Sequence, residues 1–284
     1  MQVDSHQHFW CYDPVQYGWM QPHWPIRRNY LPLDLAPELK ACDLDACVAV
    51  QARQSLEESR WLLQLADQHD FIAGVVGWVD LRSPEVDRQL ADFAGHPKFV
   101  GVRHVVQDEP DDWFLTGLEF QRGMRALAPW NLTYDLLVFP RQLPAAIELV
   151  SRFPEQRFVL DHIAKPEIRD QRYVPWEDDL RRLAAHPHVL CKLSGMITEA
   201  AWHDWKPSDF ERYLDIVVEA FGVERLMYGS DWPVALLAGS YRQVYDLVAG
   251  YIERLGSAAV AKIMGETACR FYGLWSSGEG QGKG

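Results

Sequence analysis

No stretch of this chain is long and apolar enough to span a bilayer, and no two cysteines are spaced as CxxC. Cys11, Cys42, Cys47, Cys191 and Cys269 are odd in number, which argues against a disulfide scaffold and for free thiols in a reducing compartment. A basic region followed by an apolar run, the pattern of a secretory signal, does not precede His6, so the expected address is the cytoplasm. Lys and Arg number 28 against 40 Asp and Glu, a formal net charge of −12. That balance excludes an extended nucleic-acid or anionic-membrane interface, since both need basic patches. Also lacking is the glycine-rich phosphate turn that usually follows the first strand of a doubly wound nucleotide-binding sheet; here the turn reads HFWCYDP.

What the chain does have is core material. Its 284 residues are 48% hydrophobic and 24% charged, an ordinary globular composition that suits one large domain. Short, nearly continuous apolar runs recur at 3–8, 47–52, 71–79, 99–104, 132–138, 157–162, 189–194 and 226–231, as expected of strands buried on both faces of a parallel sheet. Amphipathic segments lie between them. Residues 55–70 begin with Ser55 three before Glu58, a capping signal, and 83–96 begin Ser-Pro-Glu. Residues 208–222 end on glycine, and 142–153, 176–185 and 239–255 also carry helical spacing. This alternation predicts a single-domain (β/α)8 barrel over residues 1–275, with a flexible, glycine-rich tail at 276–284. An open doubly wound sheet is the alternative.

The chain opens MQVDSHQHFW. On a strand, alternate side chains share a face, which would set Asp4, His6 and His8 together against Val3, Ser5 and Gln7. Two imidazoles on one face can ligate a metal or grip a polarised oxygen. In a barrel enzyme the chemistry sits at the C-terminal ends of the strands. Read only there, the sequence yields His6 and His8, Gln51, Trp78 and Asp80, Arg103 and His104, Tyr134 and Asp135, Asp161 and His162, Lys192 and Ser194, then Ser230 and Asp231. So many polar groups at one end of apolar runs indicate a site. Each has a plainer structural alternative: a helix N-cap for Asp231, a core histidine for His162, a rim ion pair for Arg103, and packing for the aromatic residues.

DSHQHFW at the first strand, FVLDHIAKP at the sixth, KLSGM at the seventh, YGSDWPV at the eighth and the closing GETACRFYGL resemble the amidohydrolase superfamily, and best its branch of sugar-lactone and aromatic-lactone hydrolases. The resemblance implies catalytic roles for His6, His8, His162 and Asp231, with Asp231 taking a proton from the attacking water. It also implies that His6, His8 and Asp231, with His162 nearby, could hold one divalent ion such as zinc, although the branch resembles enzymes that work without metal. The fourth strand offers no bridging lysine, and the fifth offers Tyr134 and Asp135 where many relatives place a histidine ligand. A binuclear site is therefore not expected, and neither is an organic cofactor.

Arg103, His104, Gln51, Trp10, Trp78, Trp232 and Tyr134 are the candidates for substrate binding, with Arg53 a further one and His104 or a protonated Asp231 the candidate proton donor to the leaving oxygen. Few arginines at the strand ends and 12 tryptophans in the chain favour an uncharged aldonolactone, such as L-fuconolactone or L-rhamnonolactone, over an aromatic or muconate-type lactone. A metal-dependent decarboxylase and a non-catalytic sugar-acid binding barrel are the remaining alternatives. The expected partner is the small-molecule substrate alone, bound by a monomer or homodimer.

Overall fold

The computed structural model describes residues 1–274; the predicted tail at 276–284 lies outside them. Eight parallel strands hydrogen-bond in sequence order: β1 (Val3–Gln7), β2 (Ala46–Val50), β3 (Ile72–Gly77), β4 (Phe99–His104), β5 (Thr133–Leu136), β6 (Phe158–Leu160), β7 (Val189–Leu193) and β8 (Leu226–Tyr228). β8 returns to β1 through Asp231 N–H to the His6 carbonyl at 2.8 Å and His8 N–H to the Trp232 carbonyl at 2.7 Å, which closes the barrel. Eight helices follow the strands: α1 (Pro32–Ala41), α2 (Leu56–Gln68), α3 (Val86–Ala91), α4 (Leu118–Leu127), α5 (Leu143–Arg152), α6 (Trp176–Ala184), α7 (Ser208–Phe221) and α8 (Tyr241–Ile252). The (β/α)8 prediction holds. No helix among the described residues is long and apolar enough to cross a membrane, and all five cysteines are free.

Local chemistry explains the elements that the sequence announces. Ser55 caps α2, its hydroxyl accepting from the N–H of Glu57 and Glu58 at 3.2 and 3.3 Å. Ser240 and Gln243 form a capping box at α8. Two helices were not announced. α1 carries prolines at its start and at Pro37, which read as breakers, although proline at the first helical position costs nothing. α4 has Gly123 at its centre; a Cβ there would lie 2.0 Å from the Leu81 carbonyl oxygen, so close helix–loop contact requires glycine. Strands β6 and β8 are shorter than predicted because the chain turns sharply after Leu160 and Tyr228, and those turns carry site residues.

The barrel interior is layered. Val3, Val48, Val50, Val76, Val159 and Met227 form an apolar floor that the C-terminal helix α9 (Thr267–Tyr272) plugs with Phe271 and Tyr272. Above the floor lies a layer of buried charge. Lys192 is fully buried and pairs with Asp135 and Asp161, and the Tyr272 hydroxyl reaches up from the plug to donate to Asp135 at 2.9 Å. Asp4 does not share the catalytic face. The β1–β2 register shifts between Asp4 and Gln7, and the Asp4 carboxylate accepts from the N–H of His6 and Ser230 and from the Tyr241 hydroxyl of α8.

Tyr272→Phe deletes a buried hydrogen bond to a charged group and is expected to lower stability by about 1.5–3 kcal/mol. Urea unfolding checks this. An unchanged midpoint would mean that the plug contributes apolar packing alone.

Candidate active site

Barrel closure brings the ends of the first and last strands together at the mouth. His8 donates from Nδ1 to the Val50 carbonyl at 2.8 Å, which turns its Nε2 inward. That Nε2 lies 3.3 Å from His6 Nε2 and 3.3 Å from Asp231 Oδ1. His6 Nε2 and His162 Nε2 each lie 3.8 Å from the same carboxylate oxygen. His162 is oriented through Nδ1 by the Ser194 hydroxyl at 2.9 Å, and Gly195 lies so close that a Cβ there would sit 2.4 Å from that nitrogen. Four predicted catalytic side chains, His6, His8, His162 and Asp231, thus converge on one point.

The backbone is strained where it delivers them. Asp231 has φ of 56°, and His162, Ile163, Ala164 and Lys165 have φ of 53°, 48°, 61° and 49°. The left-handed conformation costs roughly 1–2 kcal/mol per non-glycine residue, and such strain concentrates at functional sites.

Burial dominates the electrostatics. It pushes His6 well below the ordinary imidazole value and His162 down to about 4, so that both rings are neutral at physiological pH. Burial alone would raise the Asp231 carboxyl, but the surrounding imidazoles, His162 first and then His8 and His6, outweigh it and hold Asp231 below the usual carboxylate range. Asp135 is pushed up to about 6 by burial, against the opposing pull of Lys192. The result is an ionised carboxylate beside the neutral rings of His6 and His162, above a buried lysine.

A cavity of about 530 Å³ opens over this cluster, with His8, Arg103, His162 and Asp231 at its base. Arg103 is buried: its guanidinium lies 3.1 Å from Asp161 Oδ2 and 3.3 Å from His6 Nε2, and it also binds the Gln51 carbonyl. It belongs to the charged layer as well as to the cavity, so neither the substrate-contact reading nor the rim ion-pair reading describes it alone. Trp19 and Trp24 of the β1–α1 loop, Arg53 and Lys165 line the wall. Of these, only Arg53 was expected. Sequence position could not reveal the others, because they sit on loops outside the strand ends.

Several predicted binding residues fall behind the cavity wall. Trp10 is buried against Tyr17, Trp19 and Tyr30, with its indole N–H on the Arg28 carbonyl, and it anchors the β1–α1 loop. Trp232 packs on Phe9 and Tyr30. Gln51 is spent on Arg103, donating to its carbonyl at 3.2 Å. His104 is occupied on both ring nitrogens, by Glu109 at 2.7 Å and by Trp78 at 3.4 Å, and it stacks on Phe114. Tyr134 corrects the expectation most clearly. Its neighbour Asp135 takes the inward position on β5, so the Tyr134 ring points outward and packs between Phe120 of α4 and Phe158.

The cluster suits a metal. Three ligand atoms at about 2.0–2.1 Å from a tetrahedral zinc lie about 3.4 Å apart. His6 Nε2, His8 Nε2 and Asp231 Oδ1 are separated by 3.3, 3.3 and 3.8 Å, with the lone pair of His8 directed inward by its Val50 hydrogen bond. His6, Asp161 and His162 also lie close enough to form a ligand set.

The amidohydrolase family profile matches residues 3–274. The chain is 43% identical to an L-fucono-1,5-lactonase of Burkholderia multivorans over 96% of both chains. It is 39% identical to an L-fucono-1,5-lactonase of Burkholderia ambifaria, over 95% of this chain and 94% of that one. A crystal structure of an amidohydrolase from Burkholderia multivorans with bound zinc superposes with a TM-score of 0.93 at 44% identity, covering 97% of this chain and 100% of the other.

Arg103→Met breaks a buried ion pair. We expect a loss of about 3–5 kcal/mol in stability together with a fall in activity. Denaturant unfolding and steady-state kinetics on one preparation check both, and wild-type stability would remove Arg103 from the charged layer. A second expectation concerns Glu58 of α2, which holds the mouth loop by accepting from the N–H of Ala52 and Arg53, each at 2.9 Å, and from the Tyr17 hydroxyl at 3.0 Å. Burial pushes its carboxyl up to about 7, against an ordinary value of 4.5. Its contribution to stability is therefore full below the unfolded value and is lost as pH rises through the folded one. Relative to wild type, Glu58→Gln should gain up to about 3 kcal/mol between about pH 5 and pH 8. A pH-independent difference in thermal unfolding would contradict this.

Proposed function

The chain belongs to the amidohydrolase family, and on that premise we infer that it hydrolyses a sugar lactone, opening the ring by attack of water on the carbonyl. The observation that carries the reading is the 43% identity to an L-fucono-1,5-lactonase across 96% of both chains. The geometry agrees with it. Lactone hydrolysis needs a base for water, donors for the carbonyl oxygen as it gains charge, and assistance to the departing ring oxygen.

Asp231 is the base. It is ionised, buried and held at the cavity floor, where a positioned carboxylate can take a proton from an attacking water. Arg103 and His162, which both line the base of the cavity, are the side chains placed to donate to the carbonyl oxygen as it gains charge. His104 is not the acid for the leaving oxygen, because its ring faces Glu109 and Phe114. His6, His8 and Asp231 would hold a divalent ion such as zinc, which would polarise the carbonyl as a Lewis acid.

The substrate we propose is an aldono-1,5-lactone of the L-fucono type. Beside Arg53 and Lys165, the wall carries the indoles of Trp19 and Trp24 and the neutral amides of Gln16, Gln54 and Gln107, a combination that suits a ring with an apolar face and a rim of hydroxyls. Five free thiols suit a reducing compartment, and we place the protein in the cytoplasm.

Acid release from a panel of aldonolactones, followed at constant pH before and after chelation, tests the reading: L-fucono-1,5-lactone should be turned over, and no release above the spontaneous rate from any lactone would overturn it. In the same assay Asp231→Asn should lose about 10²–10⁴ in kcat while staying folded. Near-wild-type turnover would reduce Asp231 to a structural cap.

A further inference from the structure

The FVLDHIAKP motif contributes more to the mouth than its histidine. After β6 the chain makes a complete left-handed turn from His162 to Lys165, without a glycine, closed by Lys165 N–H on the His162 carbonyl at 2.8 Å. The middle of the turn is locked. Ile163 and Ala164 are fully buried, and the Ile163 carbonyl accepts the Trp176 indole N–H at 2.7 Å. Both ends line the same cavity, the His162 imidazole at its base and the Lys165 side chain on its wall. A strained conformation held this firmly calls for a functional reason, and here it delivers two chemical groups to one mouth.

Lys165 differs from the deep cation of the cavity. The Arg103 guanidinium is already bound to Asp161 and the Gln51 carbonyl. The nearest carboxylate to the Lys165 ammonium is Glu199 at 3.9 Å, beyond hydrogen-bond length, and among the described residues the ammonium makes no hydrogen bond. The lysine side chain is 15% exposed, so its donors face the cavity rather than open solvent. On the lactone-hydrolysis reading Arg103 and His162 serve the carbonyl oxygen, and the ring oxygen still needs a donor.

We propose that Lys165 is a further catalytic residue: its ammonium hydrogen-bonds the lactone ring oxygen and stabilises the charge that gathers there in the transition state. The assignment rests on the lactone-hydrolysis reading above. Water adds to the carbonyl carbon and gives one proton to Asp231. The bond from that carbon to the ring oxygen then breaks, with its electron pair moving to the oxygen. The oxygen takes the proton back from Asp231, and the product leaves as the open-chain hydroxy acid. Lys165 stays charged throughout and exchanges no proton. Its hydrogen bond strengthens as the carbon–oxygen bond breaks, so it favours the transition state over the bound lactone.

Three variants of the full chain test this against L-fucono-1,5-lactone, with the wild type as control. Lys165→Met should lose about 10²-fold in kcat, with KM within about threefold, the pattern of an interaction made in the transition state. Lys165→Arg keeps the charge and should stay within about tenfold of wild type. Lys165→Asn supplies a residue that tolerates the left-handed conformation; it should fold with a Tm no lower than wild type and yet be as impaired as Lys165→Met. That separation of stability from activity is not expected of a residue that only shapes the turn. The proposal fails if Lys165→Asn recovers activity, if a folded Lys165→Met keeps wild-type kcat, or if KM alone rises. A wild type that releases no acid from any lactone overturns the function and this assignment together, whereas an active wild type with unimpaired variants overturns the assignment alone.

Discussion

A lysine without solvent contact sits at the centre of the barrel, and most of the site is arranged around that fact. Burying an ammonium is tolerable only when carboxylates and further hydrogen bonds surround it. Lys192 has Asp135 and Asp161. Those two carboxylates in turn require donors of their own. Asp135 takes the Tyr272 hydroxyl from the C-terminal plug, and Asp161 takes Arg103 from β4 and His6 from β1. The charged layer therefore links strands β1, β4, β5 and β7 and the turn after β6 to the C-terminal helix. It fixes the ring plane of His6, the deepest of the imidazoles, from below. A wholly apolar layer would be easier to bury, but it would leave that ring free to turn.

Above the layer, the fold concentrates its departures from regular geometry. The turn after β6 is left-handed through Lys165, and Asp231 after β8 shares that conformation. Both follow strands of only three residues, so regular pairing ends early where the site residues begin. The surrounding structure bears the cost: the turn after β6 is packed under Trp176, and the turn after β8 is tied to β1 by the bonds that close the barrel. Preorganisation of this kind keeps carboxylate and imidazoles together without a substrate to gather them.

The fold was legible because it rests on a short-range pattern. Apolar runs such as ACVAV and IAGVVG can be buried on both faces only in a parallel sheet, and Ser55 and Ser240 mark helix starts by local hydrogen bonds. The floor of the site was legible for a related reason: His6, His8, His162, Arg103 and Asp231 stand at the ends of strands whose direction the repeat already sets. Period-two alternation failed at Asp4, because an irregularity in β1 breaks it, and at Tyr134, where the inward position of β5 belongs to Asp135. The walls were not legible. Trp19, Trp24 and Lys165 reach the cavity through loop conformations held by distant partners, Tyr30 for the β1–α1 loop and Trp176 for the turn after β6.

By itself the sequence determined the eightfold repeat, the end of the barrel that carries the chemistry, and the imidazoles and carboxylate that meet there. Periodicity and capping act over a few residues and can be read along a chain. Tertiary structure alone decided which polar residues face the substrate and which face one another. It turned His104 toward Glu109, gave Arg103 a buried partner, and placed Trp10 and Trp232 in packing rather than in the mouth. Those outcomes depend on contacts between residues far apart in the chain, and the burial of Lys192 that governs several of them appears only when the barrel has closed.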